Sequence, residues 1–466
     1  MPKKYHIHTK AMPLNLDYVF KYRIKRGVNC INCGRCSKVC IYEAHKRGET
    51  DPRKMAEPNT VVCRNCFRCI QECPRGALEK SLDKDFLNIG GTYWKPDMFI
   101  TLWKQAEDGK VPVTGAGYRG PFTGPGFDGM WTDMSEIVRP TRDGIHGREY
   151  INTSVELGRK LNHLTFGEKG ELLSKIYDTV DVPIPIIFDV PVDYMSPNMK
   201  VALVRAAAEL NTFIALPADA VTPDVEKQIG NIIPRFAQQD IEKYEGLIKK
   251  ARVVALEYGD APAADLPSIQ NKIKAIGKAL IIVRVPATKN IADTVLKLTV
   301  AGAEIVHVAA DYHGKGINGS ADSQPRLIKD IIRDVHLKLV ENRIRDEVTL
   351  ICSGGIAMAE HVPKAMICGA DLTAVDLPLL IALGARLYEE PEMMLLLPDG
   401  IGKIPGRTIK QRIVNLMGAW HSQLLEVMGA MGIREARRLR GETGRAIFFD
   451  EIDQETFGQL FKNREA

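Results

Sequence analysis

The sequence predicts an α/β protein: a (β/α)8 TIM barrel preceded by a small ferredoxin-like segment over residues 1–87. Three observations predict it. Eight of the ten cysteines fall between Cys30 and Cys73, in two copies of one spacing. From about residue 184, short β-branched runs alternate with stretches of helical period. The chain has 466 residues, enough for a large domain with an appendage.

Cys30, Cys33, Cys36 and Cys40 are spaced C-x2-C-x2-C-x3-C, and Cys63, Cys66, Cys69 and Cys73 repeat that spacing with Pro74 behind them. Two-residue gaps let three thiolates curl around three corners of one cubane, and the fourth cysteine reaches the other cluster. The expected ligand sets are Cys30, Cys33, Cys36 and Cys73 for one [4Fe-4S] cluster, and Cys63, Cys66, Cys69 and Cys40 for the other. A disulfide scaffold needs an oxidising compartment, which nothing in the sequence suggests. Zinc sites usually pair two C-x2-C units and lack the third and fourth cysteines seen here. The first copy has Ile41 in place of proline, which is not a ligand. Cys352 and Cys368 stand apart and read as small buried hydrophobes.

Residues 21–80 hold 14 lysines and arginines against six acidic residues, while the whole chain is only +5. This basic cap either offsets the negative charge of two thiolate-ligated clusters or attracts an acidic redox partner, a ferredoxin or dehydrogenase-type subunit. Hydrophobic residues make up 45% and charged residues 26%, a globular composition. No run of eighteen apolar residues occurs, so no membrane span is expected. The start, Met1-Pro2-Lys3-Lys4, lacks a signal peptide's apolar stretch. A cytoplasmic protein with no nucleic-acid partner is expected.

Residues 88–183 are rich in glycine and proline and read as a connector wrapping the barrel. Gly115 to Gly120 spell a literal G-x-G-x-x-G, but Pro121 and Pro125 follow, so no helix opens on it and no dinucleotide site is expected. Residues 184–400 carry eight candidate strands: Ile184–Val190, Thr212–Leu216, Ile232–Phe236, Val253–Tyr258, Leu280–Val285, Glu304–Ala309, Val348–Cys352 and Asp371–Val375. Helical stretches such as Asn290–Ala301 and Gln324–Glu341 follow them. Eight such units close naturally into a barrel, with an open doubly wound sheet as the alternative. Residues 401–466 form a helical extension, in which Ile409–Gly432 has an apolar face that docks on the barrel or on a partner.

Barrel sites lie at the C-terminal ends of the strands. Those ends offer Asp189, Asp240, Glu257, Arg284, Lys289, Asp311, Ser353-Gly354-Gly355 and Asp376. In the seventh loop, Ser353, Gly354 and Gly355 precede helix formers from Ala357. That pattern suits a phosphate, here that of a flavin. Arg284 and Lys289 supply positive charge for a reduced flavin or an anionic substrate, or else Arg284 pairs structurally with Glu257 or Asp311. Lys315 reaches into the site or is solvated. His307 reads as a core histidine, and His313, in the glycine-rich loop, is the better acid–base candidate.

With these motifs the chain resembles the FMN-binding domain of glutamate synthases, closest in layout to the shorter archaeal-type form with a built-in ferredoxin segment. The carriers are the doubled cysteine motif, Gly314-Lys315-Gly316-Ile317-Asn318-Gly319-Ser320, Cys352-Ser353-Gly354-Gly355-Ile356, Lys364–Asp371, and the tail Gly418–Leu439. The resemblance implies FMN across the barrel mouth. It implies Ser353, Gly354 and Gly355 at the phosphate, Arg284 at the flavin, and Gly314, Gly316 and Gly319 near the substrate. It further implies hydride delivery to 2-iminoglutarate, giving glutamate. Three departures matter: no glutaminase domain, so a separate subunit would supply ammonia; no three-iron cysteine motif after strand eight; and no glycine pattern there. The leading expectation is an FMN-dependent iron–sulfur oxidoreductase of glutamate synthase type. The alternative is an electron-relay subunit of a larger redox complex, and a purely structural iron–sulfur module comes third.

Overall fold

The computed structural model describes residues 5–14, 19–60, 62–111, 113–114, 117–118, 124–132, 151–161, 163–174, 176–259, 262–317, 326–389, 393–398 and 400–461. All eight expected strands are present: β1 (Ile186–Phe188), β2 (Ile214–Pro217), β3 (Ile232–Ala237), β4 (Val253–Glu257), β5 (Leu280–Pro286), β6 (Ile305–Ala309), β7 (Thr349–Ser353) and β8 (Leu372–Val375). Each pairs in parallel with its sequence neighbour, and β8 returns to β1. The sheet is a closed barrel, not an open doubly wound one. The strands are apolar on both faces because one face fills the barrel and the other meets helices. In β4, four buried residues precede Glu257, where the strand reaches the mouth.

The first barrel helix, Pro197–Glu209, starts on Ser196, whose hydroxyl accepts the Met199 N–H at 3.3 Å. Pro197 fills the first turn, where a missing N–H costs nothing. The long helix Gly406–Ala430 packs on this barrel helix and also on the connector helix Pro96–Asp108. Its Arg412 is fully buried and donates to three carbonyls: Ala382 at 2.9 Å, Met12 at 2.8 Å and Trp103 at 3.3 Å. Asn415 pairs with both backbone groups of Lys10, at 3.0 and 2.7 Å. The apolar face therefore docks on the barrel, and the polar groups between its apolar residues tie the N-terminus to it. Further on, Ala446–Phe448 pairs antiparallel with Met130–Thr132.

The cysteine segment is built on the antiparallel pair Tyr22–Arg26 and Leu78–Leu82, with Tyr22 opposite Leu82 and Arg26 opposite Leu78. Two short helices, Arg35–Val39 and Arg68–Gln71, pack together beside it. Its core is small: Ile24, Cys36, Met55, Cys69 and Leu78. The main core is one continuous cluster that joins the barrel, the connector and the C-terminal helix. Of the G-x-G-x-x-G stretch, only Gly117–Tyr118 is described, as a short strand paired with Val113–Thr114; its other residues lie outside the described set. Among the described residues no helix is long and apolar enough to cross a membrane.

Candidate functional sites

The eight clustered cysteines converge in two groups. Cys30, Cys33, Cys36 and Cys73 line one cavity, and Cys40, Cys63, Cys66 and Cys69 line another. These are the two crossed quartets that the spacing predicts. The loops that shape them are near repeats. Asn32 and Asn65, each just before the second cysteine of its group, have φ of 55° and 54°, and Gly34 and Phe67, each just after it, have φ of 76° and 59°. Left-handed residues on both sides of one cysteine curl the chain so that three sulfurs face one point. Asparagine and glycine adopt that conformation readily; Phe67 does so under strain.

Backbone amides aim at sulfur in matching places, Ala44 N–H at Cys40 Sγ (3.3 Å) and Ala77 N–H at Cys73 Sγ (3.2 Å). The Arg26 guanidinium reaches Cys30 Sγ at 3.3 Å. Burial, with Cys63 and Cys66 adding to it, pushes the Cys69 thiol up to about 11, so a bound metal must displace its proton. All ten cysteines are free, and Cys352 and Cys368 are buried in the barrel wall.

The barrel mouth holds a belt of charge. Register sets Glu257 beside Arg284 and Arg284 beside His307. Arg284 pairs with Glu257 at 3.1 Å and approaches Asp189 at 3.6 Å; Arg235 pairs with Asp189 at 3.0 Å and approaches Glu257 at 3.7 Å. Burial alone would raise Asp189, but Arg235 and Arg284 hold it below the usual carboxylate range. The Nε atoms of both Arg235 and Arg284 are buried with no acceptor among the described residues. His307 Nε2 lies 2.8 Å from Ser353 Oγ, and burial, reinforced by Arg284, pushes its imidazole down to about 3. It is therefore neutral, as a core histidine should be. Burial pushes Asp376 up to about 7, with Asp189 and Asp311 adding to it and the Leu377 N–H opposing. Burial also carries Tyr312 to about 12, with Asp376 and Asp189 adding to it.

The other candidates fall elsewhere. Lys289 is exposed just ahead of the helix Ile291–Val300, and among the described residues it makes no ion pair. It is not drawn into the belt, because the chain turns outward after Pro286. Asp311 does not pair with Arg284; its Oδ1 accepts the N–H groups of His313 (2.9 Å) and Lys315 (2.7 Å) and shapes the loop. His313 faces Glu389 at 3.4 Å, not the belt. Lys315 is half-buried, bridged through its backbone to Leu327. Asp240 ends a 3-10 turn outside the belt. Gly319 lies outside the described residues.

The glycine turn after β7 departs from expectation. The helix begins at His361, not Ala357, because the His361 ring accepts the Ala357 N–H at 3.1 Å while its Nε2 meets Asp128 at 2.9 Å. A Cβ at Gly354 would lie 2.3 Å from the Asp311 carbonyl oxygen, and one at Gly355 would lie 2.6 Å from Tyr93 Oη and 2.8 Å from Gly314 Cα. A Cβ at Gly316 would meet the Ala287 carbonyl at 2.9 Å. These glycines are required by loops packing against one another. At the place expected for a flavin's ring end stand the two paired arginines, while the turn expected at its phosphate is closed over by Tyr93.

Sequence reasoning missed Arg235, Tyr312 and Tyr93. Arg235 was the one detectable signal, a single cation inside the apolar run Ile232–Phe236. Tyr312 and Tyr93 reach the mouth through loops, which carry no such pattern.

Residues 261–391 match a family model described as a conserved region in glutamate synthase. The archaeal glutamate synthase [NADPH] of Archaeoglobus fulgidus is 24% identical, over 97% of this chain and 98% of its own length. The archaeal-type enzyme of Thermotoga sp. strain RQ2 is 25% identical over 92% and 95%. That of Methanocaldococcus jannaschii is 22% identical over 94% and 97%. The resemblance seen in the motifs thus holds along nearly the whole chain, with relatives that are all named as enzymes. Among solved structures, the flavin-binding domain of baker's yeast flavocytochrome b2 aligns at a TM-score of 0.45 with 10% identity, over 71% of this chain and 78% of that one. That likeness is too distant to add to the fold already read from the strand register.

Proposed function

We propose that this glutamate synthase-type chain is an iron–sulfur flavoprotein. Its two cysteine quartets hold [4Fe-4S] clusters, and its barrel mouth holds FMN beside an imine-type substrate of the 2-iminoglutarate class. The observation that carries the reading is the crossed convergence of Cys30, Cys33, Cys36 and Cys73, and of Cys40, Cys63, Cys66 and Cys69, on two separate cavities. When bound, FMN converts single electrons into the pair that reduces an imine carbon.

The protein's own residues have definable tasks. Arg235 and Arg284, paired with Asp189 and Glu257, set positive charge at the mouth that favours a substrate carboxylate or the electron-rich edge of the flavin. Neutral His307 fixes Ser353 below them. Asp376 keeps a proton near neutral pH at the same level of the barrel.

The test is anaerobic purification followed by assay. About eight irons per chain and released FMN are expected, together with glutamate from 2-oxoglutarate, ammonia and a chemically reduced electron donor. A protein with both cofactors but no glutamate favours the relay subunit. One observation speaks for that second reading: Arg235 and Arg284 are already paired to Asp189 and Glu257, which leaves little free charge to clamp a dicarboxylate.

A further inference from the structure

Four aromatic rings stand in series between the cysteine segment and the barrel. Ring centroids are 6.2 Å apart from Trp103 to Phe99, 6.4 Å from Phe99 to Trp94 and 6.1 Å from Trp94 to Tyr93, each pair edge-to-face. All four side chains are buried. Trp103 and Phe99 are one turn apart on helix Pro96–Asp108, which stacks them on one side. At the barrel end, the Tyr93 hydroxyl donates to the Gly355 carbonyl in the turn after β7, and Trp94 Nε1 donates to the Tyr312 carbonyl at 3.0 Å. At the other end, Trp103 lines a cavity of about 730 Å³ together with Cys66 and Phe67. Arg64, two residues before Cys66, pairs with Glu107, one turn beyond Trp103, at 3.4 Å, and so joins the cavity's two walls. Neither quartet's own cavity has any of these rings in its lining; of the eight cysteines, Cys66 alone shares the larger cavity with Trp103.

We propose that Trp103, Phe99, Trp94 and Tyr93 are the conduit for electrons between the Cys40, Cys63, Cys66 and Cys69 site and the barrel mouth. This rests on the cluster-and-flavin reading above. Tunnelling falls off exponentially with distance, and less steeply through packed polarisable matter than through water, so a buried ladder of rings sets the route. Electrons enter at the Cys30 quartet and leave from the Cys66 quartet. Each passage takes one electron from a reduced cluster and delivers it to the acceptor in the mouth; the rings neither gain nor lose one. Two passages with a solvent proton complete a two-electron reduction. The electrons come from a low-potential one-electron donor outside the chain.

The test injects electrons photochemically, from photoreduced deazaflavin, into the anaerobic full-length protein and follows flavin bleaching. Cluster resonance signals and flavin content are measured alongside. Trp94→Leu and Phe99→Leu should slow bleaching about tenfold, with both cofactors retained. Trp94→Phe should keep most of the rate. Phe213→Leu removes a buried ring just before β2, off the ladder, and should leave the rate unchanged. Phe99→Met serves in place of any variant that does not fold. Wild-type rates in Trp94→Leu with both cofactors present, or equal slowing in Phe213→Leu, would overturn the conduit alone. A wild-type protein without flavin or iron would overturn the underlying reading and the conduit with it.

Discussion

Strands β4 and β5 bury Val254, Leu256, Ile281 and Val283 completely, and the core they join runs through the barrel into the connector and the C-terminal helix. The segment around Cys30–Cys73 has a cluster of just Ile24, Cys36, Met55, Cys69 and Leu78 among its described residues, and two of those five are themselves candidate ligands. The barrel is held by apolar area, which scales with the size of the core. The segment has too little of it to stand alone, and domains of that kind usually draw their folding energy from metal or disulfides. Its cysteines are free of disulfides, and on the proposed reading metal supplies that energy.

The sharpest way to break this comparison is to remove the iron. Chelation under reducing conditions should release hydrogen-exchange protection over residues 22–82 while β1 to β8 keep theirs; equal loss in both regions would end the contrast. Cys66→Ala should lose roughly half the iron, since one quartet survives, and full retention would refute the ligand assignment.

Next in size is the joint between the two regions. Arg412→Leu strands three carbonyls, those of Ala382 and Trp103 in buried contacts, and should cost about 2–3 kcal/mol in chemical denaturation. It should also loosen helix Pro96–Asp108 before the barrel itself. Within the barrel, Arg284→Leu leaves Glu257 without its closest cation and should cost about 1–3 kcal/mol while raising the pKa of Asp189, which titration by NMR can follow.

Smaller still is a pH effect. Asp376 titrates near 7 when folded, against about 4 in an unfolded chain. The folded state therefore holds this proton more tightly. Its contribution is complete below about pH 4 and is lost as pH rises through 7. Asp376→Asn should flatten that part of the stability profile in thermal melts between these limits. Lys289→Ala should change stability by less than about 0.5 kcal/mol and leave flavin content unaltered, because the side chain is exposed and outside the belt.

The barrel was legible because each strand is a short β-branched run bounded by turn residues, so periodicity marks both ends. The cysteine quartets were legible because ligand spacing is a local property. The barrel mouth was only half legible. Glu257, Arg284 and Asp376 sit at strand ends, where sequence position gives orientation. Whether Ser353-Gly354-Gly355 opens to a ligand depends on Tyr93, Asp128 and Gly314, all distant in sequence. His361 capturing the Ala357 amide illustrates the limit, since helix-forming residues at 357–360 gave no hint that a ring would end the turn instead. Asp311 shows another: an acidic residue at a strand end reads as catalytic, yet here it folds its own loop.

The pairing of Lys10 with Asn415 joins residues 405 positions apart. At ribosomal speeds of about 5–20 residues per second, roughly 20–80 s separate their synthesis. For most of that interval, once residue 82 is made, the cysteine segment is complete but not yet tied down by the C-terminal helix, so on the proposed reading iron insertion has time to precede closure of the fold over Trp103.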